Sequence, residues 1–304
     1  MINFVVSDIH SFYDSLKKAL KDAGFNKRNK EHRLIICGDT FDRGEDALGV
    51  YNYITSIPKS RRILIKGNHD ELFLKLLEKT YPDAHDFSNH TVDTFCQIAG
   101  CPFITTLGDE EQIKTEEYLQ LGCYRYSEDI EHIDQDAYDE WNRIRNIVRN
   151  HEVTKWLQSD EWKDYYELDK YIFVHSFIPV NNGDGLPSYY LRDRKFSYKP
   201  DWRTNATMRE WSDARWGCPW SQYRDGLFKA EEDNGKGLVC GHWHTSDFYK
   251  NLDGSDDVHY DIYYGNGIIA IDGGVWYTVK TPWERELIHF QNVLKIDDEG
   301  NIIK

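Results

Sequence analysis

At 304 residues, 40% of them hydrophobic, the chain is long enough to bury a full core as a single α/β domain that carries an insertion. Its formal charge of −15 argues against a general duplex-binding surface, because neutralising nucleic-acid phosphates needs clustered Lys and Arg. The six cysteines, Cys37, Cys96, Cys101, Cys123, Cys218 and Cys240, form no CxxC pair and no regular spacing, which argues against a zinc knuckle or a disulfide framework. The opening Asn3-Phe4-Val5-Val6 reads as a strand rather than a basic leader with a long apolar centre, and no apolar run is long enough to span a bilayer. The expected setting is therefore a reducing cytoplasm, without a membrane partner.

In chain order, Ile2 to Val6 is a short β-branched and aromatic run that reads as a buried strand. It ends in Ser7-Asp8-Ile9-His10. Phe12, Leu16, Ala19, Leu20 and Ala23 then recur at helical spacing up to a stop at Gly24, with Ser7 or Ser11 as the expected cap. The same order of strand, polar loop and helix returns with Leu34 to Cys37, the loop Gly38-Asp39-Thr40-Phe41-Asp42-Arg43-Gly44, and a helix from about Asp46 to Ser56 that Pro58 ends. A third copy runs through Ile63-Leu64-Ile65, Gly67-Asn68-His69-Asp70 and a helix bearing Leu72, Leu76 and Leu77. Three such units imply parallel strands with right-handed crossovers, so their loops gather along one edge of one sheet. Topology alone brings Asp8, His10, Asp39, Asp42, Asn68 and His69 together.

From Tyr81 to about Asp169 the chain turns polar, acidic and mostly helical, with Trp141, Ile144, Ile147 and Val148 at helical spacing. This stretch reads as an insertion that packs over the site and shapes access to it. His85, His90, His132 and His151 lie in it without a preceding strand and read as surface histidines. Tyr171 to Val174 restores a strand, which delivers His175. The segment that follows, to about Trp220, reads as loops with one short helix near Thr204 to Trp211, and its rings from Tyr189 onward offer surfaces on which a base could stack. Gly237 to Cys240 is another strand, delivering Gly241-His242-Trp243-His244. The remaining runs, Ile268 to Ile271, Trp276 to Val279, Leu287 to Phe290 and Val293 to Ile296, read as antiparallel strands, with Asp272-Gly273-Gly274 as a turn between them.

Imidazole nitrogens, carboxylate oxygens and an amide oxygen in one cluster suit divalent or trivalent ions of intermediate hardness, Mn and Fe first, with Zn also fitting. Seven candidate ligands are too many for one tetrahedral ion. Two ions sharing Asp39 use them all, with Asp8, His10 and His244 on one and Asn68, His175 and His242 on the other. Metals about 3.5–4 Å apart can hold a bridging hydroxide for direct attack on phosphorus. His69 and Asp42 are then left beside the metals, where an imidazole oriented by a carboxylate can protonate a leaving alkoxide. Arg43 supplies a planar fork that reads two phosphate oxygens, with Asn68 and His69 also facing the substrate.

These blocks, Asp8-Ile9-His10, Gly38 through Gly44, Gly67-Asn68-His69-Asp70, His175 and Gly241-His242-Trp243-His244, resemble the calcineurin-like metallophosphoesterases, and within them the phosphoprotein phosphatase branch. The resemblance covers the chain up to about residue 80 and from about 170 to 275. It implies a central two-sheet β-sandwich flanked by helices in four layers, the two-metal assignment above, and His69 with Asp42 as the acid dyad. The implied substrate is a phosphomonoester, either a phosphoprotein or a small phosphoester. A dinucleoside polyphosphate or a phosphodiester is the alternative for the same site, and a non-catalytic metal-binding scaffold is a third reading that intact ligands disfavour. The first block lacks the branch's flanking glycines, position 70 is Asp where protein phosphatases favour Glu, and Gly-His-Trp-His resembles the wider family. Arg203, Arg209 and Arg215 are the candidates for a second phosphate-binding arginine.

Overall fold

A computed structural model describes residues 1–103, 105–107, 111–113, 135–182, 196–275, 278–280, 285–287 and 291–303. The strands in chain order are β1 (Ile2–Val6), β2 (His32–Cys37), β3 (Arg62–Ile65), β4 (Thr105–Leu107), β5 (Glu111–Ile113), β6 (Trp162–Lys163), β7 (Tyr166–Glu167) and β8 (Tyr171–Phe173). They continue as β9 (Val180–Asn182), β10 (Phe196–Tyr198), β11 (Gly237–Cys240), β12 (Tyr263–Tyr264), β13 (Ile268–Ala270), β14 (Thr278–Lys280), β15 (Arg285–Leu287) and β16 (Leu294–Asp297). Two five-stranded sheets, ordered β16-β1-β2-β3-β6 and β12-β13-β11-β8-β7, form the centre. In the first, β1, β2, β3 and β6 run parallel and β16 closes one edge antiparallel to β1.

The side-chain alternation of these strands sorts the core into layers. Phe4, Val6, Leu34, Ile36 and Leu64 point to one side of the first sheet and join a cluster with the helices outside it. Val5, Ile35, Cys37 and Ile65 point to the other side and meet Phe173, Val239, Ile269 and Ile271 of the second sheet. Ile172, Leu238 and Ile268 face outward again, against Trp202, Trp211 and Phe248. The architecture is therefore helices, sheet, sheet, helices, the α/β sandwich that the resemblance implies.

Helices α1 (Tyr13–Asp22), α2 (Ala47–Thr55) and α3 (Asn68–Glu78) follow β1, β2 and β3. Asp46 caps α2 by accepting from the Gly49 N–H at 2.7 Å. Neither Ser7 nor Ser11 caps α1, whose N-cap is Phe12 with no side-chain bond. Both serines are buried in the site loop instead.

The stretch from Tyr81 contributes α4 (Ala84–Ser88), α5 (Thr91–Ala99) and further helices at Gln135–Asn150 and Glu152–Leu157. Phe87, Val92, Phe95, Trp141, Ile144, Val148 and Trp156 from these helices share the first core with Phe4 and Leu34. Trp162–Lys163 then adds a strand beside β3. His132 and Cys123 lie outside the described residues.

Two sequence expectations are corrected by the pairing. Ile268–Ala270 is not a plain antiparallel strand: it runs parallel to β11, with Leu238 opposite Ile268, and is antiparallel only to β12. The reason is a helix, Thr245–Leu252, that crosses from β11 to β13 and makes one more strand–loop–helix unit. Around Thr204 to Trp211 there are two short helices, Trp202–Asn205 and Met208–Arg215, followed by Pro219–Arg224. Leu294–Asp297 is antiparallel, as expected, and β14 pairs antiparallel with β15; the rest of the runs Trp276 to Val279 and Leu287 to Phe290, including His289, lies outside the described residues. Among the described residues no helix is long and apolar enough to cross a membrane.

Candidate metal centre

Because β1, β2 and β3 are parallel neighbours, their C-terminal ends release three loops side by side, and β8 and β11 of the second sheet release His175 and His242 toward the same place. Asp39 stands at the centre. Its Oδ1 lies 3.4 Å from Nε2 of His175 and its Oδ2 lies 3.8 Å from Nε2 of His10, so the two carboxylate oxygens serve opposite sides. Two groups of ligand-type atoms converge on it, His10–Asp39–His69 and Asp39–His175–His242.

The tautomers are set by the far side of each ring. His10 donates Nδ1–H to the Phe41 carbonyl at 3.0 Å, and His175 donates Nδ1–H to the Cys37 carbonyl at 2.9 Å. Their Nε2 atoms therefore carry lone pairs into the cluster. Nε2 of His175 faces Oδ1 of Asn68 at 2.7 Å and Nδ1 of His242 at 3.3 Å. Acceptor atoms meeting there are the arrangement a cation completes, and the mixed nitrogen and oxygen donors fit first-row ions.

Burial drives the same conclusion electrostatically. It pushes His175 down to about 4 and His69 down to about 3, and holds His10 and His242 well below the usual imidazole range. It raises Asp39 to about 6 and lifts Asp8 well above the ordinary carboxylate range, the latter with help from nearby Asp272 and Asp39. Neutral imidazoles beside costly carboxylates make a pocket that a divalent ion would relieve.

Asp8 is buried, and its Oδ2 accepts the backbone N–H of His242 at 2.9 Å, which ties the end of β1 to the end of β11. A Cβ at Gly241 would fall on that carboxylate, so the glycine is a matter of space. His244 is the half-buried N-cap residue of the helix Thr245–Leu252. The side chain that joins His10 and Asp39 in the first converging group is His69, which the sequence reading places beside the metals.

His69 donates Nδ1–H to Oδ2 of Asp42 at 2.7 Å, with both groups buried. Arg43 reaches Nε2 of His69 at 3.2 Å and Nε2 of His10 at 3.3 Å, so its guanidinium spans the mouth of the cluster. Asp70, buried at the start of α3, accepts from the backbone N–H groups of Asp39, Thr40 and Gly67 at 3.1, 3.2 and 2.8 Å, binding the second loop to the third. The backbone itself is unusual here: Asp8, His10, Ser11, Asp39, Asp42, Arg43 and His242 all have positive φ, between 49° and 74°. Each such non-glycine residue costs roughly 1–3 kcal/mol, a concentration of strain typical of sites that fix side chains.

Sequence reasoning misses several members. Thr91 and Thr94 of α5 hydrogen-bond Asp42 at 2.8 and 2.9 Å. Their only signal is a threonine pair three residues apart on a helix. Asp272, read as a turn residue, is buried, and its carbonyl receives the N–H of Thr245 next to His244. Of the three candidate arginines, Arg203 pairs with Glu167 and Asp233 and lies over Trp202, whereas Arg215 is buried against Glu71 and Asp164.

A family model for calcineurin-like phosphoesterases matches residues 4–246, well over half of the chain. The chain belongs to that family. This phosphoesterase is 25% identical over 186 residues to a symmetrical bis(5'-nucleosyl)-tetraphosphatase of Hamiltonella defensa, a match covering 60% of this chain and 62% of that protein. It is 42% identical over 67 residues to the protein of the same name from Buchnera aphidicola of Schizaphis graminum, covering 22% of this chain and 23% of the relative. The phosphoesterase thus spans less than two thirds of the curated relatives it matches. Among solved structures, a metallophosphoesterase from Sphaerobacter thermophilus aligns with 100% of this chain and 88% of its own at 10% identity, with a TM-score of 0.41.

Proposed function

We propose that the chain is a metal-dependent hydrolase of phosphoric esters and anhydrides and that its substrate is a dinucleoside polyphosphate, cut at an internal P–O–P bond. The observation that carries the chemistry is Asp39, with an oxygen toward each of two imidazole groups while Arg43 and the His69–Asp42 pair stand alongside. The printed name of the relatives supports the substrate. So does Trp216, a half-buried indole whose ring lies 6.3 Å from that of His242 at 88° and 6.1 Å from that of His85, giving a base a stacking surface beside the cluster.

Asp8, His10, Asp39 and His244 would hold one ion and Asp39, Asn68, His175 and His242 the other. Mn or Fe ions bound there supply Lewis acidity to the phosphoryl oxygens and an activated water as nucleophile. The chain's own residues do the rest. Arg43 binds two oxygens of the phosphoryl group being transferred, because its fork already points across the mouth of the cluster. Asp42 accepts the Nδ1–H of His69, which fixes the ring and supports an imidazolium there. Protonated on both nitrogens, His69 would give its Nε2–H to the leaving oxygen as the P–O bond breaks and return to the neutral Nδ1–H form.

A phosphomonoester such as phosphoserine in a protein is a second reading, favoured by the Gly-Asp-x-x-Asp-Arg-Gly block from Gly38 to Gly44. The test is relative turnover by Mn-loaded protein of diadenosine tetraphosphate, a phosphoserine peptide and a bis-aryl phosphodiester. The dinucleotide should be fastest and give nucleoside diphosphate. Faster release of phosphate from the peptide would install the second reading, and metal binding without turnover of any substrate would leave a scaffold.

A further inference from the structure

Helix α5 has two unlike faces. Val92, Phe95 and Ile98 recur at i, i+3 and i+6 and are buried in the first core, whereas Thr91, Thr94 and Gln97 repeat the same spacing one residue earlier and turn toward the Gly38–Gly44 loop and the start of α2. All three polar side chains of that face are spent on this one stretch. Thr91 donates to Oδ2 of Asp42 at 2.8 Å, and Thr94 donates to Oδ1 at 2.9 Å while accepting the Asp42 backbone N–H at 3.1 Å. Gln97 donates to the Gly44 carbonyl at 2.8 Å and accepts from the Ala47 N–H at 2.8 Å. The segment gripped in this way includes Asp42 and Arg43, at φ 74° and 65°, and α5 itself starts after His90 at φ 62°.

The chemistry of the grip is selective. Asp42 is fully buried and accepts from His69 Nδ1 and Thr91 on one oxygen and from Thr94 on the other. A lysine or arginine in place of either threonine would also satisfy the carboxylate, but it would spend the negative charge. Hydroxyls fix the orientation and leave the charge to act on His69. Resting on the reading of His69 as general acid, we propose that Thr91 and Thr94 are positioning residues for the reaction, with α5 as the splint that aims the Asp42–His69 pair at the leaving group.

The experiment compares Thr91→Val, Thr91→Ser, Thr94→Val, Thr94→Ser and His69→Asn in Mn-loaded protein, with kcat for p-nitrophenyl phosphate and for phenyl phosphate and the metal content of each variant. A good leaving group needs little protonation and a poor one needs it fully. Thr91→Val should therefore lose about tenfold on phenyl phosphate and less than about twofold on p-nitrophenyl phosphate, a part of the roughly 100-fold or more that a general acid contributes. Both serine variants should recover the parental ratio with two metals retained. Equal losses on both substrates, loss of metal, or no recovery with serine would overturn the positioning role and leave α5 as packing alone. If His69→Asn itself shows no leaving-group dependence, the general-acid reading falls. If His69→Asn shows it and Thr91→Val does not, only the present inference falls. Thr94→Val also removes the acceptor for the Asp42 N–H, so Thr91→Val decides the matter if the Thr94 variant does not fold.

Discussion

Asp39 places one carboxylate oxygen 3.4 Å from Nε2 of His175, and its other oxygen faces His10 across the cluster. A single side chain that serves both imidazole groups should be the one whose loss is felt by both metals. Asp39→Asn is expected to lower bound metal from two ions toward none and to cut kcat/KM by at least about 100-fold. Asp42→Asn should keep both ions and lose rate only. Metal analysis of the two variants after Mn reconstitution checks this, and an Asp39→Asn protein that still holds two ions would remove Asp39 from the bridging position.

Metal affinity should fall in acid, and the carboxylates should set the range. In the metal-free protein burial raises Asp39 to about 6 and moves Asp8 up as well, while His69 and His175, at about 3 and 4, are already neutral. Binding requires carboxylate, so below about pH 6 an ion must displace a proton from Asp39, and affinity should drop about tenfold per pH unit for each proton displaced. Titrations with Mn between about pH 5 and pH 8 should show affinity rising with pH, with the slope easing above about pH 6, where Asp39 has lost its proton, and persisting as far as the raised Asp8 still holds one. A slope confined to the normal imidazole range would contradict it.

Gly241→Ala should weaken the site by pushing β11 away from β1. The new methyl would land on the carboxylate of Asp8 and on the Ser7 side chain, both buried, and Asp8 could yield only by giving up the His242 N–H that it accepts at 2.9 Å. A loss of about 2–4 kcal/mol in urea unfolding is expected, together with reduced metal content. Wild-type stability with two metals bound would show that the ends of the two strands are not packed as described.

Arg62 tests how firmly the stretch after Tyr81 belongs to the first sheet. Its Nη1 donates to the carbonyls of Ile54, Thr55 and Ile57 at 3.1, 2.9 and 2.8 Å, and its Nε and Nη2 donate to Glu161 at 2.9 and 2.6 Å. One guanidinium thus closes the C-terminal end of α2 and anchors the residue before β6. Arg62→Ala should cost about 3 kcal/mol because it removes all of these donor contacts at once, although Lys59 still pairs with Glu161 at 2.8 Å and the Ile57 N–H still reaches the Ile54 carbonyl. Glu161→Gln, which keeps an acceptor, should cost about 1 kcal/mol. Urea unfolding of both variants gives the comparison, and equal costs would mean that the ion pair alone matters.

The residues that gather at the strand ends were readable because parallel topology converts local order into proximity. Once three strand–loop–helix units are seen, Asp8, Asp39 and Asn68 must lie side by side, and β1, β2 and β3 do pair in that order. Contacts between distant segments carried no such rule. Thr94 meets Asp42 across 52 positions, and a threonine in a helix announces nothing about what its hydroxyl will reach. The parallel placement of β13 was hidden for a related reason. The helix Thr245–Leu252 buries only Thr245 and Phe248, too few positions to register as an apolar period. Ser7 and Ser11 were the ordinary capping residues by type, yet the loop geometry drew them inward and left Phe12 at the cap.

The left-handed backbone of the site loops sets fold and chemistry against each other. At His10 and Arg43, with φ of 49° and 65°, the main chain would rest more easily with glycine, and the side chains the chemistry wants are ones that conformation disfavours. A drifting sequence would therefore find firmer, inactive versions of this protein close at hand, and Arg43→Gly should melt later than the parent while binding phosphate poorly. If His10 and Arg43 act as proposed, activity in this phosphoesterase is held at positions where stability alone would favour glycine.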